Sequence, residues 1–459
     1  MAVLLASSTP GTAPAGRVNQ TYLLGIALSA ALGGLLFGYD FSVISGGIEQ
    51  IRTYFGVDEI GEGFLGASLY IGCILGALVA GTAADRFGRK PVLLASALFF
   101  GASCLGTGLA ASLPTFIGFR LVGGLGVGIA SIVSPLYIAE IAPGHLRGRL
   151  VSINQLAIVI GILLTYFTNY YLLQRFGSGA WRWMLGVGTV PSVLFGLAAL
   201  LIPESPRWLL TQGLTDRAGR VLRRIGDDAY ATDQLQRIDP PTGPTDRPSF
   251  RDLLAPSLRP VLTIGIVLAV FQQWCGINNI FTYAPRIFAA AGYSDKEGLW
   301  QTVIIGVVNL LVTILAMTLV DRLGRRKLLF GSLGLAVIYA LLGLFFYQNS
   351  QNGPLLLTLI LSAIGVYGVS LAPVTWVVNA EIFPNRVRGQ ALSFATLFLW
   401  LACFLLVQTF PWLFARLNGA YLFWLFAVIC AAGFVFILRR VPETKGKSLE
   451  VLEQELVRQ

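Results

Sequence analysis

Long stretches without charged residues are the feature that most constrains how this chain can fold. A helix needs about 20 mainly apolar residues to cross a lipid bilayer. Stretches of this kind recur twelve times, near residues 18–39, 63–84, 91–111, 115–139, 150–172, 183–202, 260–284, 299–320, 328–347, 354–380, 389–412 and 418–438. The sequence therefore predicts an all-α membrane protein with twelve transmembrane helices.

The composition argues against a soluble protein or an enzyme. Only 12% of the 459 residues are charged, whereas about a quarter are charged in soluble domains. The five cysteines lie in apolar stretches without metal-ligand spacing, so we expect buried thiols. His145, the single histidine, lies in a polar loop, and no phosphate-binding loop motif is present. We expect no enzymatic activity, no metal, no cofactor and no ATP-driven pump.

Lysine and arginine are distributed unevenly between the two sides of the predicted membrane. With both termini on one side, the loops of that side hold 26 of the 33 basic residues, the opposite loops hold six, and Arg120 lies inside a helix. Positively charged loops remain in the cytoplasm, so both termini are predicted to be cytoplasmic. The same asymmetry explains the net charge of +10 without a nucleic-acid partner.

The chain contains an internal duplication. Three short motifs occur twice. DRFGRK at 85–90 recurs as DRLGRR at 321–326, and AEIAP at 139–143 recurs as AEIFP at 380–384. The pair PE at 203–204 recurs at 442–443. The offsets of 236, 241 and 239 residues predict two six-helix bundles of like orientation, with a substrate site between them near mid-membrane. The predicted segments are an N-terminal tail (1–17), the first bundle (18–202), a cytoplasmic linker with short helices (203–259), the second bundle (260–438) and a C-terminal cytoplasmic segment (439–459).

Charged residues gather in the short loops of the predicted cytoplasmic side. Their arginines can reach carboxylates and helix ends on neighbouring helices. We expect a cytoplasmic gate that is broken in the inward-open state, formed by Asp85, Arg86, Arg89, Glu140, Arg149, Glu204, Asp321, Arg322, Arg325, Glu381, Arg388 and Glu443. The alternative is that these charges only set membrane topology, but two matched copies favour the gate.

Five motifs, taken in order, resemble the signatures of one transporter family. They are GGLLFGYD at 33–40, RLVGGLG at 120–126, PLYIAE at 135–140, PESPRWL at 203–209 and PETKG at 442–446. With these motifs at the expected helix ends, the chain resembles the sugar porter family of the major facilitator superfamily over residues 20–452. The resemblance implies a multi-pass carrier in the cell inner (plasma) membrane.

Polar and aromatic residues inside the apolar stretches form the candidate sugar site. Amides offer donors and acceptors to sugar hydroxyls, and indole rings pack on the apolar face of a sugar. The residues that match sugar-binding positions of the family are Phe37, Gln155, Gln272, Gln273, Asn278, Asn309, Trp376 and Trp400. The alternative is that buried amides join membrane helices to one another.

Four positions depart from the family pattern. Ile162 and Leu399 stand where xylose-type symporters carry glutamine, and Thr282 stands where tyrosine is common. Gly368 replaces the glutamate of animal facilitators. The resemblance therefore favours a glucose-like hexose as the substrate.

Asp40 is the one carboxylate well within a predicted span, and we place it near the outer end of the first helix. Charges inside a membrane are costly and usually functional. In proton-coupled members of the family an aspartate here pairs with the arginine that corresponds to Arg120. The alternative is a purely structural ion pair.

These observations predict a secondary active transporter that imports a monosaccharide together with a proton by alternating access. The expected partners are the sugar, the proton and membrane lipid, and we expect a monomer. A sugar uniporter, a non-transporting sugar sensor and a drug or organic-ion exporter are the alternatives. Asp40 argues against the uniporter, the short C-terminal segment against the sensor, and the amides against the exporter.

Overall fold

The structure, a computed structural model, describes residues 16–237, 255–384 and 387–443. Spans 1 to 6, numbered in chain order, are Gln20–Phe55, Glu59–Phe87, Arg89–Leu109, Leu113–Ile141, Arg147–Phe176, and Ala180–Val187 with Thr189–Leu201. Spans 7 to 10 are Arg259–Trp274 with Ile277–Ala289, Asp295–Leu323, Arg325–Leu329 with Gly331–Tyr347, and Gly353–Val369 with Leu371–Ile382. Spans 11 and 12 share the helix Arg388–Arg440.

Two continuous apolar stretches cross the membrane twice. Arg147–Leu201 has 55 residues and Gly389–Arg440 has 52, against about 20 for one crossing. The first is interrupted at Gly177, where φ is 58°, and the second at Asn418, where φ is 61° and ψ is 153°. The ten apolar helical stretches of the described residues therefore make twelve spans, and the predicted all-α fold with twelve helices is confirmed.

The spans pack as two bundles that follow the sequence duplication. In the first bundle, span 2 packs on span 4, span 1 on span 5 and span 3 on span 4. In the second, spans 7 and 9 pack on the helix of spans 11 and 12, and span 8 packs on span 10. Gly88 and Gly324 make the same turn in the two bundles, with φ of 96° and 91°, a conformation that glycine adopts without strain.

An even number of spans places both termini on one side of the membrane, called here the terminal side, and the opposite side is the far side. Between the bundles, three linker helices follow span 6: Pro206–Thr211, Thr215–Ile225 and Asp228–Arg237. The chain before span 1 contacts them, because the backbone N–H of Arg17 donates to Asp227 Oδ2 at 2.8 Å. The predicted tail residues 1–15, the linker centre 238–254 and the C-terminal residues 444–459 lie outside the described part.

Span 1 differs from the prediction in its length. The charge-free stretch that predicted the helix ends at residue 39, but the helix continues to Phe55. Asp40 is therefore near the middle of span 1 and not near its outer end. The five cysteines are buried and free, as the composition predicted.

Candidate functional site

A break in span 7 brings three amide side chains together. Gln272 and Gln273 end the first segment, and Asn278 begins the second. Between them Gly276 has a φ of 89°, and a side chain there would meet the Phe426 ring at 2.8 Å. Broken membrane helices are tolerated where they line a protein interior or a cavity, which is the setting of a transporter binding site.

The amides form a hydrogen-bonded chain that reaches span 10. Gln272 Nε2 donates to the carbonyl oxygens of Leu371 and Ala372 at 3.2 and 3.1 Å, where span 10 is itself interrupted at Ser370. Gln273 Nε2 donates to Gln272 Oε1 at 3.3 Å, and Asn278 Nδ2 donates to Gln273 Oε1. The first amide is therefore held by backbone, and it orients the two that follow.

Aromatic side chains close one end of this amide cluster. Trp400 of span 11 lies 5.7 Å from Phe37 and 6.0 Å from Tyr70, measured between ring centroids. Asn278 Nδ2 also contacts Cys403 Sγ at 3.6 Å, one helical turn from Trp400. The buried indole Nε1 of Trp400 has no hydrogen-bond partner within the described residues. A buried donor without a partner costs free energy, and a ligand hydroxyl would satisfy it.

Three further predicted sugar residues lie on spans 5, 8 and 10. Gln155 on span 5 is exposed, Trp376 on span 10 is 42% exposed, and Asn309 on span 8 is 7% exposed. No hydrogen bond or ring contact among the described residues joins any of the three to the amide cluster. Their roles in binding stay predictions.

Asp40 and Arg120 form an ion pair inside the first bundle. Arg120 Nη1 donates to Asp40 Oδ1 at 2.9 Å, and the two residues are 3% and 1% exposed. Asp40 Oδ2, Arg120 Nε and Arg120 Nη2 are buried without hydrogen-bond partners within the described part of the chain. One oxygen of Asp40 is thus bound by arginine, and the other is available to a proton. Phe37, one helical turn earlier on span 1, reaches the aromatic side of the amide cluster.

On the terminal side, a charge cluster joins the ends of spans 3, 4 and 6. Arg89 donates to both oxygens of Glu140, at 2.9 and 2.8 Å, and lies 3.3 Å from Asp85. Glu204 accepts the backbone N–H groups of Arg89 and Ser205 at 2.9 and 2.7 Å. Burial raises the pKa of the Glu204 carboxyl, while these backbone donors act in the opposite direction.

The second bundle repeats this arrangement. Arg325 Nη2 donates to Glu381 at 3.0 Å, and Glu443 accepts the backbone N–H groups of Arg325 and Arg326 at 3.0 and 3.1 Å. A carboxylate at the first turn of a helix is stabilised by the free N–H groups there. The side chains of three other predicted gate residues lie outside the described part: Asp321, Arg322 and Arg388. Arg86 lies over the Phe87 ring at 5.3 Å, and Arg149 is half-buried.

The predicted gate is a statement about which side of the membrane is open. We expected them to be broken when the far side is closed and the terminal side open. The far side is closed: Gln408 Nε2 of span 11 donates to the Ile60 carbonyl of span 2 at 2.9 Å, and Tyr166 of span 5 donates to the Phe281 carbonyl of span 7 at 2.9 Å. The pairs at Arg89 and Arg325 are formed in this structure, and each joins helices of a single bundle. Their breakage in the inward-open state stays a prediction.

Three residues next to the site are not among the predicted sugar residues: Tyr70, Asn279 and Thr282. The sequence singles out Thr282 only as a departure from the family pattern. Tyr70 packs on Trp400 but looks like an ordinary apolar residue of span 2. Asn279 and Thr282 are 1% exposed, and the Asn279 amide and the Thr282 hydroxyl have no partner among the described residues. The signal for these two was their position on the same segment as Asn278.

Two like-oriented six-helix bundles, with a polar site at broken helices near mid-membrane, define a secondary transporter of the major facilitator fold. The chain matches the family model described as "Sugar (and other) transporter" over residues 26–456. It belongs to the sugar porter family of the major facilitator superfamily, whose members are transporters and not enzymes.

Individual relatives cover nearly the whole chain. It is 40% identical over 443 residues to the arabinose-proton symporter of Bacillus subtilis (strain 168), covering 95% of both chains. It is 38% identical over 475 residues to the D-xylose-proton symporter of Escherichia coli (strain K12), covering 95% of this chain and 96% of that one. A glucose transport protein of Synechocystis sp. (strain ATCC 27184 / PCC 6803 / Kazusa) is 37% identical, with coverages of 97% and 99%.

Solved structures of one relative agree with the fold. The inward open conformation of the xylose transporter XylE from E. coli superposes with a TM-score of 0.83 at 37% identity, covering 95% of this chain and 100% of that one. Its partially occluded inward open conformation gives 0.83 at 36% identity, with coverages of 93% and 100%. Closure of the far side in this structure agrees with the state of these two relatives.

Proposed function

We propose that this protein is a monosaccharide–proton symporter of the bacterial inner membrane that works by alternating access. The observation that carries the proposal is the buried Asp40–Arg120 pair, in which one carboxylate oxygen has no partner among the described residues. Relatives named as arabinose-proton and D-xylose-proton symporters support the coupling to protons. The terminal side is cytoplasmic in this proposal, because it carries most of the basic residues, and the protein acts as a monomer.

The preferred substrate in this proposal is a glucose-like hexose. Gln273 and Asn278 supply donors and acceptors for hydroxyl groups. The Trp400 indole supplies an apolar ring and an N–H that has no partner in the described part of the chain. Ile162 and Leu399 are 6% and 5% exposed and add apolar lining where xylose-type symporters carry glutamine. The glucose transport protein among the relatives supports a hexose, and the arabinose and xylose symporters support a pentose as the second candidate.

Coupling would begin when Asp40 binds a proton. Protonation removes the charge that faces Arg120 and weakens their pairing, so span 1 can shift relative to span 4. Phe37 lies one turn away on span 1 and contacts Trp400, which gives a direct mechanical link between the proton site and the sugar site. Sugar binding at the interface of the bundles would then favour their closure around it.

Purified protein in liposomes tests this function. We expect labelled glucose to accumulate against its gradient when the outside is acidic, and arabinose and xylose to compete less strongly. Protein-free liposomes with the same pH gradient serve as the control. Equal uptake with and without the gradient would identify a uniporter, and binding without uptake would identify a sensor.

The charge clusters of the terminal side should matter most when the cytoplasmic ends of the bundles meet. Arg89→Ala leaves Glu140, which is 5% exposed in its side chain, without its bidentate partner, at a cost of about 1–3 kcal/mol. We expect Arg89→Ala and Arg325→Ala to lower the Tm, because each pair joins helices of one bundle. If the clusters also hold the two bundles together on the cytoplasmic side, as we propose, the population shifts toward the inward-open state in spin-label distances between cytoplasmic loops. Arg223→Ala, which removes an exposed linker pair with Asp228, is the control. An unchanged distance distribution for both variants would count against a role in gating.

A further inference from the structure

A buried carboxylate on the far side joins the two bundles. Glu62 lies in the first turn of span 2, and its side chain is 0% exposed. It accepts a hydrogen bond from Arg286 Nη1 of span 7, in the other bundle. Arg52 of span 1 lies 3.5 Å from the same carboxylate oxygen. One carboxylate thus lies between two guanidinium groups, one from each bundle.

Each bundle holds its own part of this cluster in position. Arg52 also pairs with Glu59 at 3.5 Å and with Glu49 at 3.6 Å, all within the first bundle. Arg286 lies over the Phe414 ring of the second bundle at 5.9 Å. The groups therefore move with their own bundles, and separation of the bundles on this side pulls Glu62 from Arg286.

The Glu62–Arg286 pair has a different role from the charge clusters of the terminal side. Arg89 and Arg325 find their carboxylates within one bundle, whereas Glu62 and Arg286 belong to different bundles. Backbone packing seals the surroundings of the pair, because a side chain at Gly63 would lie 2.0 Å from the Gln408 carbonyl oxygen. Opening of the far side would therefore break the bond between Glu62 and Arg286 and at the same time expose Glu62 to water.

We propose that Glu62 and Arg286, supported by Arg52, form the far-side gate of the transport cycle. The pair forms when the far side closes behind the sugar and must break before the next sugar can reach the amide cluster. It sets the balance between inward- and outward-facing states. This inference rests on the proposed alternating-access function.

Distances between spin labels on the two far-side loops measure this balance. Cysteines introduced at Ser178 and at Gln348 place one label on each bundle, and both positions are exposed, whereas the native cysteines are buried. We expect Glu62→Gln and Arg286→Gln to raise the population with long distances by on the order of tenfold, because each removes the ion pair that joins the two bundles when this side is closed. Glu59→Gln is the control, because Glu59 pairs with Arg52 within the first bundle and forms no ion pair with the second among the described residues; its loss should give a much smaller shift.

Two further variants keep the test decisive. If Glu62→Gln does not fold, Arg286→Lys is used in its place. Lysine keeps the positive charge but lacks the planar guanidinium group that donates several hydrogen bonds, so the shift should have the same sign and be smaller. The double variant Glu62→Gln/Arg286→Gln should shift the population less than the sum of the single variants, because both changes remove the same pair. Unchanged distances in folded single variants, or an equal shift in Glu59→Gln, would overturn the gate. These distances need no transport, so a parent protein that fails to move sugar would refute the proposed function and not the gate.

Discussion

Replacing Asp40 with asparagine is expected to abolish uphill sugar accumulation while sugar binding and exchange at equal pH persist. Asparagine keeps the size and polarity of the side chain but cannot bind and release a proton. The neutral amide would keep span 1 in the state that it has when Asp40 is protonated. A pH gradient would therefore no longer drive the cycle. The measurement is uptake of labelled sugar into liposomes under an imposed proton gradient, compared with counterflow exchange without a gradient.

The main complication of this variant is the loss of an ionic partner. Arg120 is 1% exposed and bonds Asp40 Oδ1, so its charge would be left with a neutral amide, and removal of one member of a buried pair destabilises strongly. The Tm and the sugar affinity of Asp40→Asn must therefore be measured alongside uptake. If the folded variant still concentrates sugar as the parent does, the proton site lies elsewhere.

The sequence predicted the fold well, because a bilayer imposes a length on each helix. Twelve apolar stretches and two copies of each loop motif were enough to place twelve spans and two bundles. The ends of the helices were harder to predict, since a helix does not have to end where the apolar stretch ends. Span 1 continues for sixteen residues beyond the predicted end at residue 39, to Phe55. Asp40 therefore lies near the middle of the helix, whereas the sequence predicted a position near its end.

The site was predictable where its residues share one segment. Gln272, Gln273 and Asn278 lie within seven residues, so their proximity follows from the sequence. Contacts between distant spans did not follow, because they depend on how the bundles are tilted against each other. Tyr70 on Trp400 and Glu62 with Arg286 are such contacts.

Gln273→Ala is expected to weaken binding of the preferred sugar by roughly tenfold or more. A lost hydrogen bond contributes about 0.5–1.5 kcal/mol, and 1.4 kcal/mol corresponds to a tenfold change in Kd. The loss should exceed one bond, because Gln273 also accepts the hydrogen bond of Asn278 and thereby orients a second amide toward the sugar. Isothermal titration calorimetry with the sugar preferred in the transport assay gives the Kd.

A variant at a second buried amide, Asn379, distinguishes a loss of sugar binding from a loss of helix packing. Asn379 is 1% exposed and its Nδ2 donates to the Gly265 carbonyl at 3.4 Å, so it joins spans 10 and 7 away from the amide cluster. Asn379→Ala should lower the Tm and leave the Kd nearly unchanged, because it removes an interhelical bond only. If Gln273→Ala behaves in the same way, with a lower Tm and an unchanged Kd, then the amides of span 7 hold the helices together and the sugar binds elsewhere.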